Sequence, residues 1–150
     1  MKTTKELEGI LENTKLKDAG EYLIDHDSDL FKESNSFTTY MREHIKLHGK
    51  TQQRIFIESN ISEKMGYKLI SGEKHTRERD TILKLCYAAD FSLKETQTAL
   101  KLYGLSELYA KIPRDALIMI AFNERKGSLI DVNEYLENNG VSPLKDVSIL

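Results

Sequence analysis

The chain has 150 residues, 31% charged and 39% hydrophobic, with a net charge of −2; it is long enough for one sizeable core and too apolar for wholesale disorder. No stretch approaches the about 18 consecutive apolar residues of a membrane span, and the charged start MKTTKELEGILE lacks the apolar run of a signal peptide. A single cysteine excludes an internal disulfide and points to a reducing, cytoplasmic setting.

The charge is uneven along the chain. Residues 1–35 carry 5 Lys/Arg against 9 Asp/Glu, residues 36–90 carry 10 against 7, and residues 91–150 carry 7 against 8. Only the middle segment, at +3, attracts phosphate by its formal charge.

In chain order, Thr3-x-x-Glu6 predicts a capped helix to Asn13, with Leu7, Ile10 and Leu11 as its apolar face. The acidic stretch Glu21 to Phe31 has apolar side chains without a sustained period and reads as an extended or partly helical arm. It either covers the core, docks on a partner protein, or lies over the basic face as a mimic of DNA. From Ser36, the residues Phe37, Tyr40, Met41, His44, Ile45 and His48 fall on one helical face, which Gly49 ends. Thr51 caps a helix through Ser59, and Ser62 caps another through Ser71, which Gly72 stops. Ile82, Leu85, Cys86 and Ala89 mark a fourth helix of this middle segment. Ser92-x-x-Glu95 opens a helix through Tyr103, stopped by Gly104. Pro113 starts a helix through Lys126, with Gly127 just past its end. Its Ala116–Phe122 run is apolar nearly all round, which predicts burial on several sides. Ser128-x-x-Asp131 caps a last helix to Asn139, closed by Gly140.

No segment alternates β-branched residues between turn signals, so the class is all-α. The expected organisation is an N-terminal helix and acidic arm (1–35), a helix-turn-helix domain (36–104) and a C-terminal helical extension packed on the same body (105–150).

The stretch Lys50 to Gly72, KTQQRIFIESNISEKMGYKLISG, resembles the helix-turn-helix of lambda-repressor-like (XRE-type) DNA-binding domains. Thr51-Gln52, the pair Ile55-Phe56, the turn residue Asn60, the aliphatic Ile61, the cap Ser62 and the terminating Gly72 occupy that family's register without insertion. The resemblance covers about residues 36–102. It implies a lambda-repressor-like domain of about five helices, with the acidic arm before it and a helical pair after it. It further implies a bacterial or phage transcription regulator that binds duplex DNA as a homodimer; the apolar Ala116–Phe122 and Leu129–Leu136 helices either form the dimer contact or complete the monomer core. The sequence departs from the family at Phe56, where a small residue is usual, and at Gly66, where a bulky aliphatic is usual. The two sites face each other across the turn, so the exchange conserves volume.

In that register Thr51, Gln52 and Gln53 stand at a helix N-terminus suited to phosphate, with Lys74 and Arg77 as further backbone contacts. Ser62, Glu63, Lys64, Tyr67 and Lys68 meet the groove, where Glu63 accepts from cytosine N4 but repels phosphate. The cluster Lys64, Lys68, Lys74, Arg77 and Arg79 reads as a phosphate-facing edge, or as a solvated face balanced by Glu63, Glu73, Glu78 and Asp80. His44 and His48, one turn apart, lack a third metal ligand at a sensible spacing, and Cys86 on an apolar stripe reads as core filler. No catalytic constellation stands out, so neither enzymatic activity nor a cofactor or metal is expected. The competing reading is a helical protein–protein interaction module, in signalling or defence, that keeps the fold but no longer binds DNA.

Overall fold

The computed structural model describes residues 3–12 and 33–146. By contact density the chain divides into Met1–Lys32 and Glu33–Leu150. The first unit contributes helix α1 (Thr4–Glu12), opened by the Thr3 hydroxyl, which accepts from the Glu6 N–H at 3.1 Å. The side chains of Leu7 and Leu11 and the arm from Glu21 to Phe31 lie outside the described residues.

The second unit contributes α2 (Glu33–Leu47), α3 (Gln52–Ser59), α4 (Glu63–Ser71), α5 (Arg79–Ala88), α6 (Leu93–Tyr103), α7 (Pro113–Glu124) and α8 (Leu129–Asn138). The described residues are thus all-α, but with eight helices, which corrects the expected lambda-repressor-like architecture of about five. The physical reason is that α7 and α8 share the core of the preceding helices. Ile118, Phe122, Leu129, Val132, Leu136 and Leu144 join the same buried cluster as Phe37, Met41, Ile55, Leu69, Ile82 and Leu100.

The hub is α5, against which α3, α6 and α8 all pack. Every residue from Asp80 to Ala88 is buried, including the polar Thr81 and Lys84. The helix predicted to be buried on several sides, α7, buries only Asp115, Ile118 and Phe122, and leaves Ile120 48% exposed. Periodicity misleads here because α5 hides its polar groups by pairing them, which a hydropathy pattern does not register.

The pairs are reciprocal. Arg79 and Asp80, at the start of α5, face Arg114 and Asp115, at the start of α7. The Arg114 guanidinium donates to both Asp80 oxygens, at 3.1 and 2.9 Å, and to the Ser142 and Pro143 carbonyls, each at 3.0 Å. Arg79 likewise grips both Asp115 oxygens, one at 3.1 Å. Asp80 and Asp115 are 6% and 1% exposed. Burial alone raises the Asp80 carboxyl, but Arg114, the Lys145 N–H and Arg79 together hold it below the usual carboxylate range. A second arginine ties the other end of α5. Arg125 adopts the left-handed conformation (φ 51°), ends α7 two residues before Gly127, and donates to the carbonyls of Tyr87 (2.8 Å) and Phe91. Its guanidinium also lies 4.6 Å from the Tyr87 ring centroid.

Candidate nucleic-acid interface

Helices α3 and α4 and the turn between them form where their local signals place them. Thr51, in an extended conformation, caps α3 by accepting from the Arg54 N–H at 3.2 Å. Asn60 ends α3 in the left-handed region (φ 55°, ψ 39°), which asparagine tolerates. Ile61 then turns inward, 4% exposed, and its N–H donates to the Phe56 carbonyl at 3.0 Å. Ser62 caps α4 by accepting from the Met65 N–H at 3.2 Å, and Gly72 (φ 85°) ends it. The turn is therefore three residues long and anchored by one buried side chain.

One contact sets the spacing of the two helices. A Cβ built on Gly66 would lie 2.7 Å from Cγ of Phe56 and nearer still to two other ring carbons. Such an approach is closer than real side chains make, so the Phe56 ring occupies the place of the missing side chain. The large-for-small exchange read from the sequence is physically present. Tyr67 then stacks edge-on over Phe56, with centroids 4.9 Å apart and planes at 84°.

The inner side of α4 is Gly66, Leu69 and Ile70, with Met65 half-buried; Glu63, Lys64, Tyr67 and Ser71 are exposed and Lys68 is half-buried. After Gly72 the chain folds back, the Lys74 N–H donating to the Lys68 carbonyl at 3.1 Å. That loop is pinned from below: the His75 ring stacks on Tyr103 (4.2 Å, 11°), and the Thr76 N–H donates to the Tyr103 hydroxyl at 2.8 Å. Lys74 and Arg77 project from it, both exposed. Among the described residues no ion pair engages Lys64, Lys68, Lys74 or Arg77. Glu63, beside Lys64, is unpaired too.

Of the ten residues singled out by sequence, seven (Ser62, Glu63, Lys64, Tyr67, Lys68, Lys74 and Arg77) lie on α4, at its N-cap or on the loop directly following it. Thr51, Gln52 and Gln53 open α3, Gln52 half-buried and the others exposed. No side-chain hydrogen bond joins Gln52 or Gln53 to another described residue. Thr51 and Ser62 already accept backbone N–H groups, which leaves each hydroxyl its proton to donate.

Other cations read as part of the edge are engaged elsewhere. Arg79, half-buried, is engaged by the buried Asp115 and is not free for an external anion. Lys50 sits between Glu58 (3.4 Å) and Asp90 (3.5 Å). Arg54, bonded to Glu58 at 2.9 Å, is the main reason that carboxyl titrates below its usual range.

His44 and His48 both turn Nε2 toward Glu95, at 3.7 and 2.9 Å, and His44 stacks on Tyr40 at 3.9 Å. Among the described residues no cluster of three or more His, Cys, Asp or Glu is arranged to hold a metal. Burial pushes the Cys86 thiol up to about 12 against the opposing hydrogen bond with Thr96, so the group stays protonated and unreactive.

The sequence reading missed the junction of Arg79, Asp80, Arg114 and Asp115. Its only signal is the Arg-Asp dipeptide repeated at the start of two helices. No described helix is long and apolar enough to cross a membrane. No family model, curated protein or solved structure matches the chain.

Proposed function

We propose that the protein is a non-enzymatic, sequence-specific DNA-binding transcription regulator of the cytoplasm, reading duplex DNA with α4. The observation that carries this reading is the contrast among its cations. Arg79, Arg114, Arg125 and Lys84 are tied to partners within the chain, whereas Lys64, Lys68, Lys74 and Arg77, on and just after α4, have no ion-pair partner among the described residues. Unpaired cations on a fixed scaffold meet phosphate without first breaking an ion pair. Lys64, Tyr67 and Glu63 face the major groove, and Gln53, Lys74 and Arg77 meet the backbone on either side.

Selection of bound fragments from random duplex DNA tests the proposal. An enriched sequence is expected, with affinity falling about a hundredfold between 50 and 200 mM salt if four phosphates are neutralised. The double reversal Lys64→Glu, Lys68→Glu abolishes binding. If no sequence is enriched, or if the reversal changes nothing, the regulator reading fails.

One observation favours the competing interaction module. Glu63 stands exposed at the leading end of α4 with no ion-pair partner among the described residues, where it repels a phosphate backbone and suits a basic protein surface. Under that reading Glu63→Gln weakens partner binding; under the DNA reading it raises non-specific affinity.

A further inference from the structure

Past Gly140 (φ 77°), residues 142–146 (Ser-Pro-Leu-Lys-Asp) form a strap across α5, α7 and α8. They have no regular secondary structure, and no backbone–backbone hydrogen bond holds them among the described residues. Side chains of the three helices grip their main chain instead. Arg114 of α7 donates to the carbonyls of Ser142 and Pro143, each at 3.0 Å. Asn133 of α8 accepts from the Leu144 N–H at 2.9 Å, and Asp80 of α5 accepts from the Lys145 N–H at 3.0 Å. Lys84 of α5 donates to the Lys145 carbonyl at 3.3 Å and faces the Asp146 carboxylate at 3.5 Å. Of the strap's own side chains only Leu144 is buried, at 4% exposed; Pro143 is half-buried and the rest are in water. The Lys145 ammonium meets Glu78 at 3.7 Å on the exposed rim.

Two features separate this strap from a tail that merely completes a core. Such a tail is held by its side chains, whereas here the protein holds the main chain, as for an extended bound peptide, and adds one apolar pocket and one charge. The other feature is Lys84. It is 3% exposed in the middle of α5, and both of its polar partners belong to the strap. A buried ammonium is costly to desolvate, and a methionine would fill the same space without that penalty. We propose that this groove is a site for an extended peptide of a partner protein with the pattern Pro-Leu-x-Asp, and that residues 143–146 occupy it in cis as an internal competitor. The leucine fills the pocket, and the acid two places on meets Lys84. Proline needs no partner for an N–H and arrives with its φ already fixed. The position between leucine and acid is exposed and free to vary. A second copy offers only the same peptide at a lower effective concentration than the cis strap, so exchange between copies gains nothing; a foreign peptide competes by adding contacts outside the groove. The inference is separate from the DNA-binding reading and is measured without nucleic acid.

The test is fluorescence anisotropy of the labelled peptide Val-Ser-Pro-Leu-Lys-Asp titrated with the full chain. A tethered segment acts at an effective concentration of about 1 mM, so the wild type binds this probe weakly. Leu144→Ser removes the strap's anchor and is expected to raise affinity for the probe at least about tenfold. Asp146→Lys loosens the strap at its exposed end and acts in the same direction; it decides should Leu144→Ser fail to fold. Adding Lys84→Met to either variant abolishes the gain. Serine in place of the probe's leucine, or lysine in place of its aspartate, does the same, whereas glycine in place of its serine or its lysine leaves binding intact. The proposal is overturned if the opened chains bind the probe no better than the wild type, or if the gain survives loss of the probe's leucine or aspartate. A wild type that sediments as a dimer which excess probe dissociates gives the groove to a second copy and overturns the assignment to a foreign peptide.

Discussion

The face around α4 and the junction between α5 and α7 are built from the same residue types and behave in opposite ways. At the junction, two half-buried arginines close over two buried aspartates, each guanidinium forked onto a carboxylate. Around α4, lysines and an arginine stand in water with acids nearby and no partner among the described residues. The difference is one of dielectric. A buried charge must find its counter-ion inside the protein, whereas a surface charge is solvated and stays free for an external one. Net charge therefore says little about this chain; which cations are already engaged says more.

The comparison is broken most severely at the junction. Arg114→Ala strands the Asp80 carboxylate in the interior and is expected to cost about 3 kcal/mol or more in urea unfolding. The DNA affinity proposed for α4 should remain intact in the folded fraction. Gly66→Ala comes next, at about 1–3 kcal/mol, because the new methyl overlaps the Phe56 ring. Adding Phe56→Leu should recover part of that loss, and a double-mutant cycle reads the coupling. Acid sharpens the contrast further. The Asp80 carboxyl lies below its unfolded value of about 3.9, so its contribution is fully present above that pH. It is lost as pH falls through the folded value. Asp80→Asn should flatten this part of the stability–pH curve below about pH 4, read by thermal melts across pH. The smallest effect belongs to the exposed face: Lys64→Glu with Lys68→Glu should change stability by no more than about 0.5 kcal/mol, while removing DNA binding if the proposed function holds.

What was legible in the sequence is what depends on neighbours a few residues away. Thr51, Ser62 and Ser92 cap the helices they were expected to cap, and Asn60 and Gly72 take the left-handed conformations expected of them. A cap acts over three residues, so the sequence itself holds both partners. Arg79 was misassigned because its partner, Asp115, is 36 residues away and its own neighbours, Glu78 and Asp80, look like an exposed charge run. Gly127 drew the expected end of α7, yet the helix stops at Glu124 because Arg125 turns back to the carbonyls at the end of α5. The Gly66–Phe56 contact could be anticipated for the opposite reason. Both residues lie within one short motif, and each is anomalous in a direction that the other corrects.

That contact also fixes an order of events for any lineage that leaves it. Enlarging Gly66 first forces two groups into one volume, which packed interiors resist steeply. Shrinking Phe56 first leaves only a void, which neighbouring side chains partly fill. Divergence from this pair is therefore directional: the aromatic ring must go before the glycine can be replaced. A chain with a small residue at both positions is the one from which either side chain can be enlarged.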